Sequence, residues 1–169
     1  MIKEFCTILN SLKSPQNVGM IVRTHAAYGG TDLIITGQDL PWRFKKGTQA
    51  FSRKLEKICS IKHIPDPKMS LKWCKENGYS TVAIEIMENP VFLDEFIFPN
   101  RTAIIVGNEG TGLESEFLDA CDHVVTIRQI GEVGSMNAAV SASIAMYEFS
   151  RHSIDTNKII GNKYKEARV

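Results

Sequence analysis

The chain has 169 residues, of which 43% are hydrophobic and 23% charged, with a formal net charge of +1. That length and composition suit one globular domain over residues 1–169, and exclude a disordered, fibrous or disulfide-dense class. No apolar run approaches the ~20 residues of a membrane-spanning helix. The start, "MIKEFCTILNSLKSPQN", also lacks a signal peptide's apolar stretch and cleavage site, so a cytoplasmic protein is expected.

In chain order, "FCTIL" (5–9) reads as a first strand. "NVGMIVRTHAAY" (17–28) reads as a helix, with Pro15 fixing a turn before it, Asn17 as a possible cap and Gly29 at the C-cap position. Arg23 stands in this largely apolar pattern, where a charge must reach solvent, a partner or a substrate. "DLIIT" (32–36) is a second strand. Residues 43–62 then carry Arg43, Lys45, Lys46, Arg53, Lys54, Lys57 and Lys62 against Glu56 alone, with Trp42 and Phe44 interleaved. That stretch suits phosphate charge and base stacking, or a solvated loop.

Further on, "CSIKHI" (59–64) and "STVAIEI" (80–86) are strands flanking the helical pattern "MSLKWCKEN" (69–77), which Gly78 closes. "RTAIIVG" (101–107) is a strand that opens into a glycine loop. A short helix (114–121), a strand "HVVTIRQ" (123–129) and the helix "SMNAAVSASIAMYEFSR" (135–151) complete the pattern. Strands alternating with helices predict an α/β fold, a parallel sheet with helices on both faces. Ligands then belong beyond the carboxyl ends of the strands. Cys6, Cys59, Cys74 and Cys121 form no CxxC pair and have no histidine at zinc-finger spacing, so buried free thiols and no metal site are expected.

The loop "GNEGTGL" (107–113) is neither a Walker A sequence nor a dinucleotide fingerprint, and alone it reads as a tight strand–helix turn. Two other segments change its meaning. "PQNVGMIVRTHAAYG" (15–29) carries Asn17 and Arg23. "GSMNAAVSASIAMYE" (134–148) carries Ser135 and Asn137 at the opening of an Ala- and Ser-rich helix.

In this order and spacing, the three segments resemble the motifs of the SpoU (TrmH) family of RNA 2′-O-ribose methyltransferases, in the SPOUT class, over residues 5–150, leaving 151–169 as a tail. The resemblance implies a C-terminal trefoil knot, a homodimer with each active site near the subunit interface, and S-adenosylmethionine as methyl donor. It implies Arg23, Asn17, Glu109, Ser135 and Asn137 as catalytic residues. For the cofactor it implies Ile84, Gly107, Asn108, Gly110, Ile127, Gln129, Ser135, Met136 and Asn137. Arg43, Lys45, Lys46 and Arg53 are the expected RNA contacts. The RNA is tRNA or ribosomal RNA, with tRNA favoured. Glu109 is expected to hold Asn17 or Arg23, or to accept from a ribose hydroxyl. Arg23 is read as a phosphate clamp that also steadies developing alkoxide charge, since guanidinium is a poor base. One departure stands out: the last strand ends in Ile127-Arg128-Gln129, where the family usually has Ile-Pro-Met. Two rival readings are a doubly wound nucleotide-dependent protein, which lacks its glycine loop after the first strand, and a non-catalytic RNA-binding member of the fold.

Overall fold

The computed structural model describes residues 3–37 and 59–151. Six parallel strands form one sheet in the order β3-β2-β1-β5-β4-β6. They are β1 Glu4–Leu9, β2 Asp32–Ile35, β3 Ser60–His63, β4 Ser80–Ile84, β5 Arg101–Val106 and β6 His123–Val125. The helices are α1 Pro15–Ala27, α2 Pro67–Glu76, α3 Ser115–Asp119 and α4 Ala138–Arg151, with a 3-10 turn at Leu93–Glu95.

The near-continuous apolar strands divide their side chains by the pleat. Phe5, Leu9, Leu33, Ile35, Val82, Ile84, Ile104 and Val106 face one layer, where Val18, Ile21 and Val22 of α1 meet Ala139, Ala142, Ala145, Met146 and Phe149 of α4. Cys6, Ile8, Ile34, Ala83, Ala103 and Ile105 face the other, which holds Cys74 of α2 and Phe117 of α3. Burying each larger side chain contributes roughly 1.5–3 kcal/mol, so both sheet faces are fixed by the same strands. Chain order reverses between β1 and β5, and β5 receives the crossover that brings the glycine loop to the middle of the sheet's carboxyl edge.

Several boundaries differ from the sequence reading. Ser14, not Asn17, caps α1: its hydroxyl accepts from the Asn17 N–H at 3.3 Å. Pro15 occupies the first turn of the helix rather than a turn before it, where its missing N–H costs nothing. The strand expected over 80–86 stops at Ile84, because the Glu85 side chain turns to accept from the Ile86 and Leu113 N–H groups. The strand expected over 123–129 stops at Val125. Thr126 instead binds the chain after β4: its hydroxyl donates to the Glu85 carbonyl and its carbonyl accepts from Leu93 N–H. α4 begins at Ala138 rather than 135, capped by Asn137, whose Oδ1 accepts from the Ala139 and Val140 N–H groups. None of the four cysteines is in a disulfide. Only Cys6 and Cys74 are buried, while Cys59 and Cys121 are half-buried at the margin of the apolar layers. The hydrogen bond with the Cys74 side chain and burial together push the Cys6 thiol far up, so it stays neutral. Arg43, Lys45, Lys46 and Arg53 lie outside the described residues.

Candidate active site

A crevice of about 310 Å³ opens at the carboxyl edge of the sheet. Its walls come from the chain after β4, the glycine loop after β5, and the segment between β6 and α4. Ile84, Gly107, Asn108, Gly110, Ile127, Gln129, Ser135 and Met136 line it, as do Glu109, Glu85 and Thr111. Asn137, Asn17 and Arg23 do not line it.

The glycine loop folds on itself before it meets any ligand. Gly112 has φ +65°, and a Cβ there would sit 2.6 Å from Glu85 Oε2. A Cβ on Gly107 would sit 2.5 Å from the Gly112 carbonyl carbon, so a side chain at Gly107 would drive the two ends of the loop apart. Asn108 closes the turn from within. Its Oδ1 accepts from the Gly110 and Thr111 N–H groups, and its Nδ2 donates to the Ser11 carbonyl at 2.7 Å. Glu85 was missed in the sequence. A carboxylate ending the apolar strand "STVAIEI" was the signal, since polar groups at the carboxyl end of a parallel strand face the ligand edge.

Glu109 accepts three hydrogen bonds at 3.0 Å, from the Lys13 N–H, the Ser14 N–H and the Asn17 side-chain amide. Burial disfavours its charge, but these donors outweigh burial and hold the carboxyl below the usual glutamate range. Asn17 is 7% exposed, and its other amide atom, Oδ1, accepts from Asn137 Nδ2 at 3.0 Å. Glu109, Asn17 and Asn137 therefore form one chain that joins the glycine loop, the first turn of α1 and the residue that caps α4. Glu109 holds Asn17 rather than Arg23. Ser135 is exposed at the crevice wall.

Arg23 is exposed on the outer face of α1, and its side chain makes no hydrogen bond or ion pair among the described residues. Met20, also on α1, is 40% exposed, and on the neighbouring α4 Val140 and Tyr147 are 43% and 54% exposed. The two helices touch through Ser143 Oγ and Thr24 Oγ1 at 3.2 Å.

Arg128 is engaged within its own chain. Its guanidinium lies 2.7 Å from Glu95 Oε1 and 3.4 Å from Asp94 Oδ2, and 3.6 Å from the centre of the Phe92 ring. Between the crevice residues Ile127 and Gln129, it ties the β6–α4 segment to the 3-10 turn. Among the described residues no helix is long and apolar enough to cross a membrane, and no acidic, histidine or cysteine cluster has the form of a metal site.

The model of the SpoU rRNA Methylase family matches residues 4–147. A protein of Staphylococcus saprophyticus named for the TrmH family of tRNA/rRNA methyltransferases is 32% identical over 151 residues, covering 85% of this chain and 57% of that relative. This chain thus spans less than two thirds of that protein. Among solved structures, an AdoMet-bound rRNA methyltransferase from Sinorhizobium meliloti superposes with a TM-score of 0.82 at 24% identity, over 92% of this chain and 59% of that one. A structure solved to explain 2-OH methylation of C/U34 on tRNA superposes with a TM-score of 0.77 at 23% identity, over 88% of this chain and 95% of that one. With a family model matched across almost all described residues and a relative 32% identical over 85% of the chain, this chain belongs to the SpoU family of RNA methyltransferases.

Proposed function

We propose that the chain binds S-adenosylmethionine in the crevice between the three loops and transfers its methyl group to a ribose 2′-hydroxyl of RNA. The observation that carries the reading is the Glu109–Asn17–Asn137 chain, which joins the three motif segments at the rim of a ligand-sized crevice. Its volume is near the lower end of the roughly 300–1,000 Å³ of small-molecule sites. Ile84, Ile127 and Met136 offer apolar faces for an adenine ring, while Gln129, Ser135 and the loop backbone offer hydrogen-bonding groups. This donor set suits the cofactor that the Sinorhizobium neighbour holds.

Bound there, the cofactor supplies a sulfonium methyl group, and the protein supplies orientation and electrostatics. Transfer would form the ribose O–CH₃ bond as the S–CH₃ bond breaks, leaving S-adenosylhomocysteine, with the hydroxyl proton passing to solvent. Holding the hydroxyl in line is worth roughly 7–11 kcal/mol of barrier. Asn137 and Ser135 fix the loop that does so, and Glu109 keeps Asn17 from swinging away. Arg23 clamps the neighbouring phosphate with its guanidinium fork and steadies negative charge growing on the oxygen.

Arg23 lies outside the crevice of its own chain, which supports a shared active site in a homodimer. A second subunit covering Met20, Val140 and Tyr147 also covers Arg23. We place the C-terminal part of the chain in a trefoil knot, as the resemblance implies. We also propose Arg43, Lys45, Lys46 and Arg53 as RNA contacts. tRNA is the favoured substrate, because the tRNA-modifying neighbour is matched over almost its whole length, and ribosomal RNA is the competitor. Incubation with methyl-labelled cofactor and separate tRNA and rRNA fractions, followed by mapping of the labelled nucleotide, tests the reading. Label on the 2′-oxygen of tRNA is the expected result. Tight binding of S-adenosylhomocysteine with no transfer to either RNA would make the chain a non-catalytic member of the family.

A further inference from the structure

A second crevice, of about 330 Å³, lies on the other side of the glycine loop. Asn108, Thr111 and Gly112 border both crevices, so one loop is the wall between them. The second one opens where the strand order reverses, between the ends of β1 and β5, which is where open α/β sheets bind ligands.

One side chain there is built for a ligand. Asn10 is only 8% exposed, and its Oδ1 is turned inward to accept from the Thr36 and Ser11 hydroxyls at 3.1 and 3.2 Å. Its Nδ2 makes no hydrogen bond among the described residues, and this leaves the free amide as the group turned towards the crevice. The Nδ2 atom is not among the buried unpartnered atoms, so it keeps access to the crevice and is free to donate to an occupant.

The other groups narrow the occupant. Lys68 Nζ is committed to Glu116 Oε1 at 2.6 Å, and Asp66 Oδ1 accepts from the Lys68 N–H at 2.9 Å. Lys13 and Glu114 remain, with side chains that have no partner among the described residues. The carboxylates of Asp66, Glu114 and Glu116 outnumber the ammonium groups of Lys13 and Lys68, so a bare phosphate is poorly matched. A neutral ring that accepts from Asn10 and Lys13 and donates to Glu114 is well matched, because a carboxylate can only accept. Guanine has this edge, a carbonyl oxygen beside two N–H donors, and unpaired bases are read on such edges.

We propose that the crevice between β1 and β5 holds an unpaired guanine of the RNA, on the far side of the glycine loop from the cofactor. This inference rests on the RNA methyltransferase reading. The test uses the full ¹⁵N-labelled chain saturated with S-adenosylhomocysteine and reads the Asn10 side-chain amide signals. Guanosine monophosphate should move them saturably, and inosine monophosphate, which lacks the amino group facing Glu114, should bind more weakly. Glu114→Ala should weaken guanosine monophosphate about tenfold, the loss expected for a hydrogen bond to a charged group, and leave S-adenosylhomocysteine affinity unchanged. Asn10 signals that stay still in protein that binds S-adenosylhomocysteine would overturn the inference, as would a Glu114→Ala affinity within about twofold of the parent. Failure to bind S-adenosylhomocysteine would instead count against the cofactor reading, and the Asn10 response would then be read without it.

Discussion

Asn137 Nδ2 donates to Asn17 Oδ1 at 3.0 Å, a contact spanning 120 residues of chain. Asn17 passes the constraint on to Glu109 through its own amide, also at 3.0 Å. Asn17→Ala leaves a carboxylate oxygen and an amide each short of a partner at a nearly buried position. A loss of about 1–3 kcal/mol is expected in urea unfolding. Asn17→Asp should be worse, because it sets a second carboxylate against Glu109.

Glu109→Gln should act like permanent protonation. The carboxyl is held below its usual range, so its contribution to stability is present above pH ~4.5 and is lost as pH falls through the lower folded value. The glutamine amide would point an N–H at the Lys13 or Ser14 N–H. The variant should be about 1 kcal/mol less stable than the parent at pH 7. That gap should close as pH drops below 4, as read from urea midpoints at both pH values.

Arg23→Ala should leave stability within about 0.5 kcal/mol, as expected for an exposed side chain. It should also leave S-adenosylhomocysteine affinity unchanged, because Arg23 does not line the crevice. Methyl transfer should fall roughly 10²–10³-fold. Near-normal turnover in a single-turnover assay would return Arg23 to the role of a solvated surface arginine.

His25 gives the fold a pH dependence of its own. It is fully buried, its Nδ1 lies 2.9 Å from Thr7 Oγ1, and its Nε2 has no hydrogen-bond partner among the described residues. Burial lowers its pKa to about 4. The unfolded chain takes up the proton near pH 6.5 while the folded chain does not, so stability is full above that pH and falls towards pH 4. Between pH 6.5 and 5 the loss should be about 1.5–2 kcal/mol. Urea midpoints across that window check it, and His25→Gln should flatten the dependence.

Arg128→Ala should loosen the β6–α4 segment without unfolding the protein. Its two ion pairs are surface-exposed and contribute under about 1 kcal/mol. The expected signature is a several-fold weaker S-adenosylhomocysteine affinity by calorimetry. Arg128→Lys should not restore it, because an ammonium cannot reach both carboxylates and stack on Phe92 as a planar fork does.

The residues alone determined the layer architecture. Two-sided apolar strands such as "AIIV" require cover on both faces, and the structure places α1 with α4 on one face and α2 with α3 on the other. Glycines at 29 and 78 marked helix ends, and both have positive φ. The three motif segments were legible as a set, and Asn17 was one of the partners expected for Glu109, but nothing in a linear pattern reveals that Asn17 also takes Asn137. Strand ends were misplaced wherever a side chain competes with the ladder: Glu85 and Thr126 carry apolar runs past the point where their own hydrogen bonds turn the chain. The use of Asn10 was equally hidden. Its orientation is set by the Thr36 and Ser11 hydroxyls, and Thr36 reaches it only once β1 and β2 pair side by side. Periodicity encodes which face a residue takes, because that depends on backbone geometry within a few residues. Which distant polar groups meet depends on strand order, and only the folded sheet decides that.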